Sequence, residues 1–254
     1  MRRIAPQGTA YRGEAVQLDL PQLAAGETVT VVAPDGIEAA VVLLTGALDI
    51  GGHRVARADV FTERASAVYL PPGSFVEMST PTGADIALAA TVGGELRAPL
   101  DATLVTVEPS DVVVHDRGQP GWQREVHDII ADTVPAQRLL VGETFNRAGQ
   151  WSSFPPHKHD GGDGEPALEE VYYYRFDRPD GFGFQGLYEL DGSETAVFLR
   201  HGAVVGIPRG YHPVCAAPGY RLYYLWVLGP KVGTARALAL HEDPAHQWLR
   251  DLPT

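Results

Sequence analysis

One cysteine, Cys215, stands among 254 residues, so no intrachain disulfide can form. That fits a reducing compartment, and a cytoplasmic location is expected. No run approaches the ~20 apolar residues of a membrane helix. The opening residues, M-R-R-I-A-P-Q-G-T-A, are basic but lack an apolar segment, so no signal peptide is expected. Positive charge is scarce: 20 Lys and Arg face 32 Asp and Glu, a formal net charge of −12. A net-acidic chain argues against nucleic acid as the main partner. Neither nucleic acid nor a membrane is an expected partner. Helical patterning is also sparse, and only Ala235–His241 and His246–Leu252 read as short terminal helices.

What is abundant is Gly, at 28 residues, and Pro, at 20, spread along the whole chain. Between them lie short runs rich in Val, Ile, Leu, Tyr and Phe. These are Thr28–Val32, Ala40–Thr45, Ala67–Leu70, Ile86–Val92, Val112–His115, Arg138–Phe145, Val171–Phe176, Phe182–Leu190, Ala196–Leu199, Ala203–Ile207 and Tyr220–Leu228. Short strands with regular turn signals predict an all-β sandwich or barrel. The polar stretch Asp116–Arg124, with Gly and Pro, is the best linker between two β-rich halves.

The halves resemble each other. Leu70–Pro81 reads L-P-P-G-S-F-V-E-M-S-T-P, and Ile207–Pro218 reads I-P-R-G-Y-H-P-V-C-A-A-P. Pro71, Gly73 and Pro81 match Pro208, Gly210 and Pro218 without gaps. Proline fixes φ and glycine permits positive φ, so P-x-G suits a tight turn between strands. The alignment sets Phe75 opposite His212, and the first half has no H-x-H pair. A duplicated β unit is expected, with metal-type chemistry surviving only in the second copy, residues 121–254. Residues 1–120 become scaffold or interface, which makes a homo-oligomer the expected assembly.

Chemistry concentrates in W-S-S-F-P-P-H-K-H-D-G-G-D-G-E-P-A-L-E-E-V-Y-Y-Y, Trp151 to Tyr174. Residues i and i+2 of a strand share a face, so His157 and His159 aim two imidazoles at one point. A carboxylate and His212, after its P-x-G turn, complete a set suited to a divalent transition metal with room for substrate. Zinc is expected first, with manganese, iron and nickel also suited. Glu165, Glu169 and Glu170 compete for the carboxylate. Glu170 is preferred because it opens a strand, and strand-borne ligands are held more rigidly than loop ones. Glu165 and Glu169 then read as solvated loop charges. Asp160–Glu169 becomes a long hairpin loop placed to cover the pocket. The other histidines (His53, His115, His127, His201, His241 and His246) lack paired spacing, and Cys215 reads as a small hydrophobe.

The order H-x-H, Glu, P-x-G-x-H resembles the cupin signature, which implies a bicupin of two double-stranded β-helix barrels. Ten residues separate His159 from Glu170 where cupins have three or four, and one separates Gly210 from His212 where two are usual. More narrowly, W-S-S-F-P-P-H-K-H-D, L-E-E-V-Y-Y-Y-R, G-F-G-F-Q-G-L-Y, P-R-G-Y-H-P-V and P-G-Y-R-L-Y-Y-L resemble the 5-deoxy-glucuronate isomerase family of myo-inositol catabolism. V-F-T-E-R and V-Y-L-P-P-G-S extend the likeness to the first half. Trp226 departs from it, because the family more often carries Asn there.

The resemblance implies isomerisation of 5-deoxy-D-glucuronate to its 2-keto isomer, with metal ligands His157, His159, Glu170 and His212. Period 2 sets Tyr172 and Tyr174 on the Glu170 face as candidates for proton transfer, and Arg175 on the opposite face. Lys158, Arg175, Gln185 and Tyr224 are the candidate substrate contacts, with Arg209 a further available cation. Three rivals share the ligand pattern: a uronate ketol-isomerase of pectin breakdown, a cupin dioxygenase using iron, and a non-catalytic sugar-binding cupin.

Overall fold

The computed structural model describes residues 1–93, 96 and 103–251. Among them the chain is almost wholly strand and loop, arranged as two curled antiparallel units. In the first, strand Ala39–Ile50 is flanked by Ala67–Leu70 and Ala84–Thr91, followed by Val16–Asp19 and Tyr11–Arg12. In the second, Leu168–Phe176 is flanked by Val204–Ile207 and Leu222–Pro230, followed by Leu140–Asn146 and Arg124–Ile130. The two paths are the same antiparallel path, as the repeat predicts. Gly73 and Gly210 hold matching left-handed conformations, with φ of 78° and 83°. Their neighbours diverge: Phe75 is 59% exposed whereas His212 is fully buried.

Alternation along the two central strands feeds three cores. Ala39, Val41 and Leu43 fill the interior of the first unit. Ala40, Val42 and Leu44 point the other way, into a core shared with the second unit. Val171 and Tyr173 meet them there, while Tyr172, Tyr174 and Phe176 fill the interior of the second unit. Both faces of each central strand are thus buried, which is why these strands read as continuous apolar runs.

Three expectations are corrected. Asp116–Arg124 is no linker: Val113–Arg117 pairs with Arg124–Ile130 as a hairpin of the second sheet, so a division at 120/121 would cut that hairpin's loop. Ala235–His241 is not helical. His241 and Glu242 instead form a strand that pairs with His157 and Lys158. Over His246–Leu252 the described residues belong to a 3-10 helix, Pro244–Asp251, and Leu252 lies outside the described residues.

Candidate metal centre and substrate cavity

The strand Leu168–Phe176 sets the site. It pairs with Leu222–Pro230 without a register shift, so even-numbered residues stay on the inner face along its length. Glu170 therefore enters the second unit's interior with Tyr172. His159 stands beside Glu170 because the Leu168 amide donates to the His159 carbonyl at 2.7 Å. This contact closes the ten-residue hairpin and brings its two ends together. His212 follows the Gly210 turn.

Ligand-type atoms of His159, Glu170 and His212 lie within 4.8 Å of one another, all buried. The Nε2 atoms of His159 and His212 are 3.1 and 3.4 Å from Glu170 Oε2. The second contact lacks hydrogen-bond geometry, and His212 Nε2 is left without a partner. His157 stands one step out, with its ring centroid 4.8 Å from that of His212 and 6.4 Å from that of His159. Each imidazole is also tied to a backbone carbonyl: His157 to Pro155, His159 Nδ1 to Leu168 at 3.4 Å, His212 Nδ1 to Gly210 at 3.0 Å. For His159 and His212 that leaves the Nε2 lone pairs turned to the common point, the arrangement a metal-binding histidine needs.

Electrostatics agree. Burial, then the charges of His159 and Arg124, pushes His157 down to about 3. Burial, then His157, pushes His212 down to about 3 as well. Both are neutral, electron-donating imidazoles at neutral pH. Burial also depresses His159, but the hydrogen bond and charge of Glu170 outweigh it and leave this group raised. An orphaned buried nitrogen, two neutral imidazoles and a carboxylate fit a divalent metal.

His212 is fully buried beside His157, His159 and Glu170, which line a cavity of about 540 Å³, large enough for a small sugar. Its wall includes Trp122, Arg124, Tyr172, Tyr224, Trp226 and the C-terminal Leu240. The Trp226 indole lies over Gly142, its partner on the next strand. A Cβ at 142 would sit 2.0 Å from Trp226 Cζ2, so the glycine makes room for the indole. Tyr172 and Tyr224 have rings 4.5 Å apart, and their hydroxyls meet Ser153 Oγ at 3.1 Å and Ser152 Oγ at 2.5 Å. Burial, then the charge of Glu170, raises Tyr172 well above an ordinary phenol. Ser153 holds a left-handed φ of 49°, and such strain in non-glycine residues clusters at functional sites.

Of the expected substrate contacts, only Tyr224 lines the cavity. Lys158 points away from its flanking histidines and is held by Asp160, Asp163 and Glu165 at 2.6 to 3.1 Å. Arg175 is odd-numbered, so it faces the shared core, where it meets Tyr173 and Asp85 of the first unit. Gln185 is buried behind the cavity against Tyr174, whose hydroxyl donates to it at 2.8 Å. Tyr174 shares the Glu170 face yet lies outside the wall for the same reason. Arg209 pairs with Glu189 at 2.8 Å on the surface.

Glu165 and Glu169 are buried, not solvated. Glu165 pins its own loop, accepting from the amides of Gly161, Gly162 and Asp163. That loop does not border the cavity: no residue from 160 to 169 lines it, and Leu238, Leu240 and Glu242 of the C-terminal segment do instead. Sequence reading missed Arg124, hidden in the supposed linker. The alternation Arg124-Glu125-Val126-His127 was the available signal, since Arg124 and Val126 both line the cavity. Ser152 and Ser153 stood inside the W-S-S-F-P-P motif, but no spacing marked them as partners of Tyr224 and Tyr172.

A repeated antiparallel barrel with a buried imidazole–carboxylate cluster inside its second copy defines the class: a bicupin with a candidate metal centre. Solved structures agree. An oxalate decarboxylase–formate complex from Lactobacillus farciminis superposes with a TM-score of 0.64 over 95% of this chain and 82% of its own, at 12% identity, a likeness of fold alone. An IolB-like protein from Salmonella typhimurium LT2 superposes with a TM-score of 0.82 at 33% identity, over 93% of this chain and 90% of that one. Residues 3–249 match the KduI/IolB family, and the chain belongs to it. The 5-deoxy-glucuronate isomerase of Geobacillus kaustophilus (strain HTA426) is 36% identical over 98% of this chain and 90% of its own length. That of Bacillus subtilis (strain 168) is 34% identical over 84% and 79%.

Proposed function

We propose that the chain is a metal-dependent aldose–ketose isomerase converting 5-deoxy-D-glucuronate to 5-deoxy-2-keto-D-gluconate, in the cytoplasm and in inositol catabolism. The observation that carries the reading is the orphaned, buried His212 Nε2, converging with His159 and Glu170, two residues that line a sugar-sized cavity. Family membership and the names of the relatives supply the substrate. His157, His159, Glu170 and His212 would hold the metal, with zinc first among manganese, iron and nickel. The metal, when bound, supplies Lewis acidity at the carbonyl and neighbouring hydroxyl oxygens.

The reaction moves hydrogen from C2 to C1 and the carbonyl from C1 to C2, so it needs no co-reactant. Tyr172 keeps its proton at neutral pH, because burial and Glu170 disfavour the phenolate. It therefore serves as a hydrogen-bond donor to a substrate oxygen on which negative charge develops. Trp122, Trp226 and Tyr224 enclose the sugar and exclude water. The first unit, up to the hairpin that opens at Val113, is a cupin with no metal-type cluster among its described residues and a candidate surface for homo-oligomer assembly.

The test is metal analysis paired with an NMR assay on 5-deoxy-glucuronate. Loss of the aldehyde signal with gain of a ketone, abolished by chelation, is the expected result. A metal-loaded enzyme that leaves the aldehyde intact, or consumes oxygen to act, would overturn the proposal.

A further inference from the structure

The charged residues on the cavity wall are three carboxylates, Asp116, Glu170 and Glu242, and three arginines, two of which pair with none of these acids. In a chain of net charge −12, three arginines, Arg117, Arg124 and Arg250, line one cavity. Arg250 is paired with Glu242. Arg117 and Arg124 have no carboxylate within 4.0 Å among the described residues, and the Arg124 side chain donates only to the Trp122 carbonyl, at 3.1 Å. The two are also direct cross-strand partners in the hairpin. Like charges directly opposite on adjacent strands destabilise a sheet, so the pair is held at a cost in the free protein. Burial, and the charges of Arg117 and Arg250, lower the Arg124 pKa, while the facing phenols Tyr172 and Tyr224 oppose the shift only as anions. Arg117 is exposed and screened by water, whereas Arg124 sits deeper, beside His157.

Resting on the sugar-acid isomerase reading, we infer that Arg124 is the carboxylate anchor of the cavity, a specificity-determining residue that seats the acid end of the substrate and turns the aldehyde end toward the imidazole cluster. The planar guanidinium fork matches a carboxylate bidentately, which an ammonium does not. Lys158, Arg175 and Arg209 cannot serve, because each is committed to partners elsewhere. An anion bound between Arg117 and Arg124 also relieves their mutual repulsion, so the anchor favours acids over neutral sugars by charge as well as by hydrogen bonding.

The test separates binding from turnover. Trp122 and Trp226 line the cavity, so their fluorescence reports occupancy. Gluconate, a sugar acid with no aldehyde to isomerise, and glucitol, its neutral counterpart, are titrated into metal-loaded wild type, Arg124→Met and Arg124→Lys. Arg124→Met should weaken gluconate by roughly 10- to 100-fold, the worth of a charge-assisted hydrogen-bonded pair. Glucitol affinity and metal content should be unchanged, and Arg124→Lys should lose less than Arg124→Met. If Arg124→Met does not fold, a loss of gluconate but not glucitol affinity in Arg124→Lys carries the same result. Equal losses for both ligands, unchanged gluconate affinity, or a wild type that ignores gluconate would each overturn the anchor. A wild type that binds gluconate through Arg124 yet does not isomerise 5-deoxy-glucuronate would overturn the isomerase reading and leave the anchor standing.

Discussion

Glu169 and Glu170, adjacent in sequence, serve opposite sides of one strand. Glu169 reaches into the first unit, where its Oε2 accepts from the amides of Ala15 at 2.6 Å and Val16 at 3.2 Å, and its Oε1 from the Tyr11 hydroxyl at 2.9 Å. Glu170 turns inward, 3.1 Å from His159 Nε2. The strand that carries the candidate metal ligand is therefore the strand that locks the two units together. Position of the ligand and cohesion of the repeat are coupled through a single backbone. Arg57 of the first unit adds to the lock, forming a buried ion pair with Glu143 at 2.7 Å.

Substitution of the two glutamates should separate these roles. Glu169→Ala leaves two buried amides and a tyrosine hydroxyl without partners, and each unpaired buried donor costs about 1–3 kcal/mol. The urea unfolding midpoint should fall sharply while folded protein still retains metal. Glu170→Ala should do the reverse, abolishing metal retention with a much smaller loss of stability in the metal-free protein. Parallel denaturation and metal analysis read both. Metal loss in Glu169→Ala at temperatures where it remains folded would break the assignment.

Much of this was legible because alternation is a strong signal when both faces of a strand are buried. The V-Y-Y-Y run gave the correct partition of Glu170 and Tyr172 from Glu169 and Arg175, and the paired P-x-G turns gave the repeat. What was illegible depended on where partners lie in space. A charged residue on a strand reads as solvated unless its partner is known, and those of Glu169 lie more than 150 residues away. The hairpin loop at Gly118–Gln123 has the composition of a linker because tight turns and linkers favour the same residues. The C-terminal strand His241–Glu242 is two residues long and has no period to detect.

Tyr172 and Tyr174 share a face but not a role. Tyr172 lines the cavity, and Tyr172→Phe should lower kcat on the order of 100-fold, within the range of positioned proton donors, with metal content intact. Tyr174 donates to Gln185, which already has an unpartnered Nε2. Tyr174→Phe should cost about 1–3 kcal/mol of stability through the orphaned amide, with kcat near wild type. Steady-state kinetics beside thermal denaturation distinguish the two, and a matched loss of kcat in both variants would refute the distinction.

Acid should loosen the N-terminal segment through Asp19. Burial pushes this carboxyl up, but the Thr9 hydroxyl and the amides of Thr9, Gln7 and Gly8 outweigh it, leaving the pKa below 3.8. A depressed folded-state pKa contributes stability that is present above the unfolded value and lost as pH falls through the folded one. Asp19→Asn should therefore be less stable than wild type at pH 7, and the gap should close below about pH 3.8. Urea midpoints of both proteins across pH 2–7 measure it, and a gap that persists at pH 2 would show that the charge is not its source.

Gly142→Ala tests whether cavity shape depends on the glycine beneath Trp226. The added Cβ would meet Trp226 Cζ2 at 2.0 Å and the His127 carbonyl at 2.4 Å. Trp226 lines the cavity, so displacing its indole changes the shape of the wall. Overpacking of this kind costs roughly 1–3 kcal/mol, and kcat/KM should fall with metal content unchanged. Trp226→Phe removes the larger clash, so the double variant Gly142→Ala/Trp226→Phe should recover part of the stability lost by the glycine change alone. Contacting residues show such non-additivity in double-mutant cycles. The His127 carbonyl remains close in the double variant, so recovery should be incomplete. Strict additivity of the two single effects would mean that Trp226 does not rest on position 142.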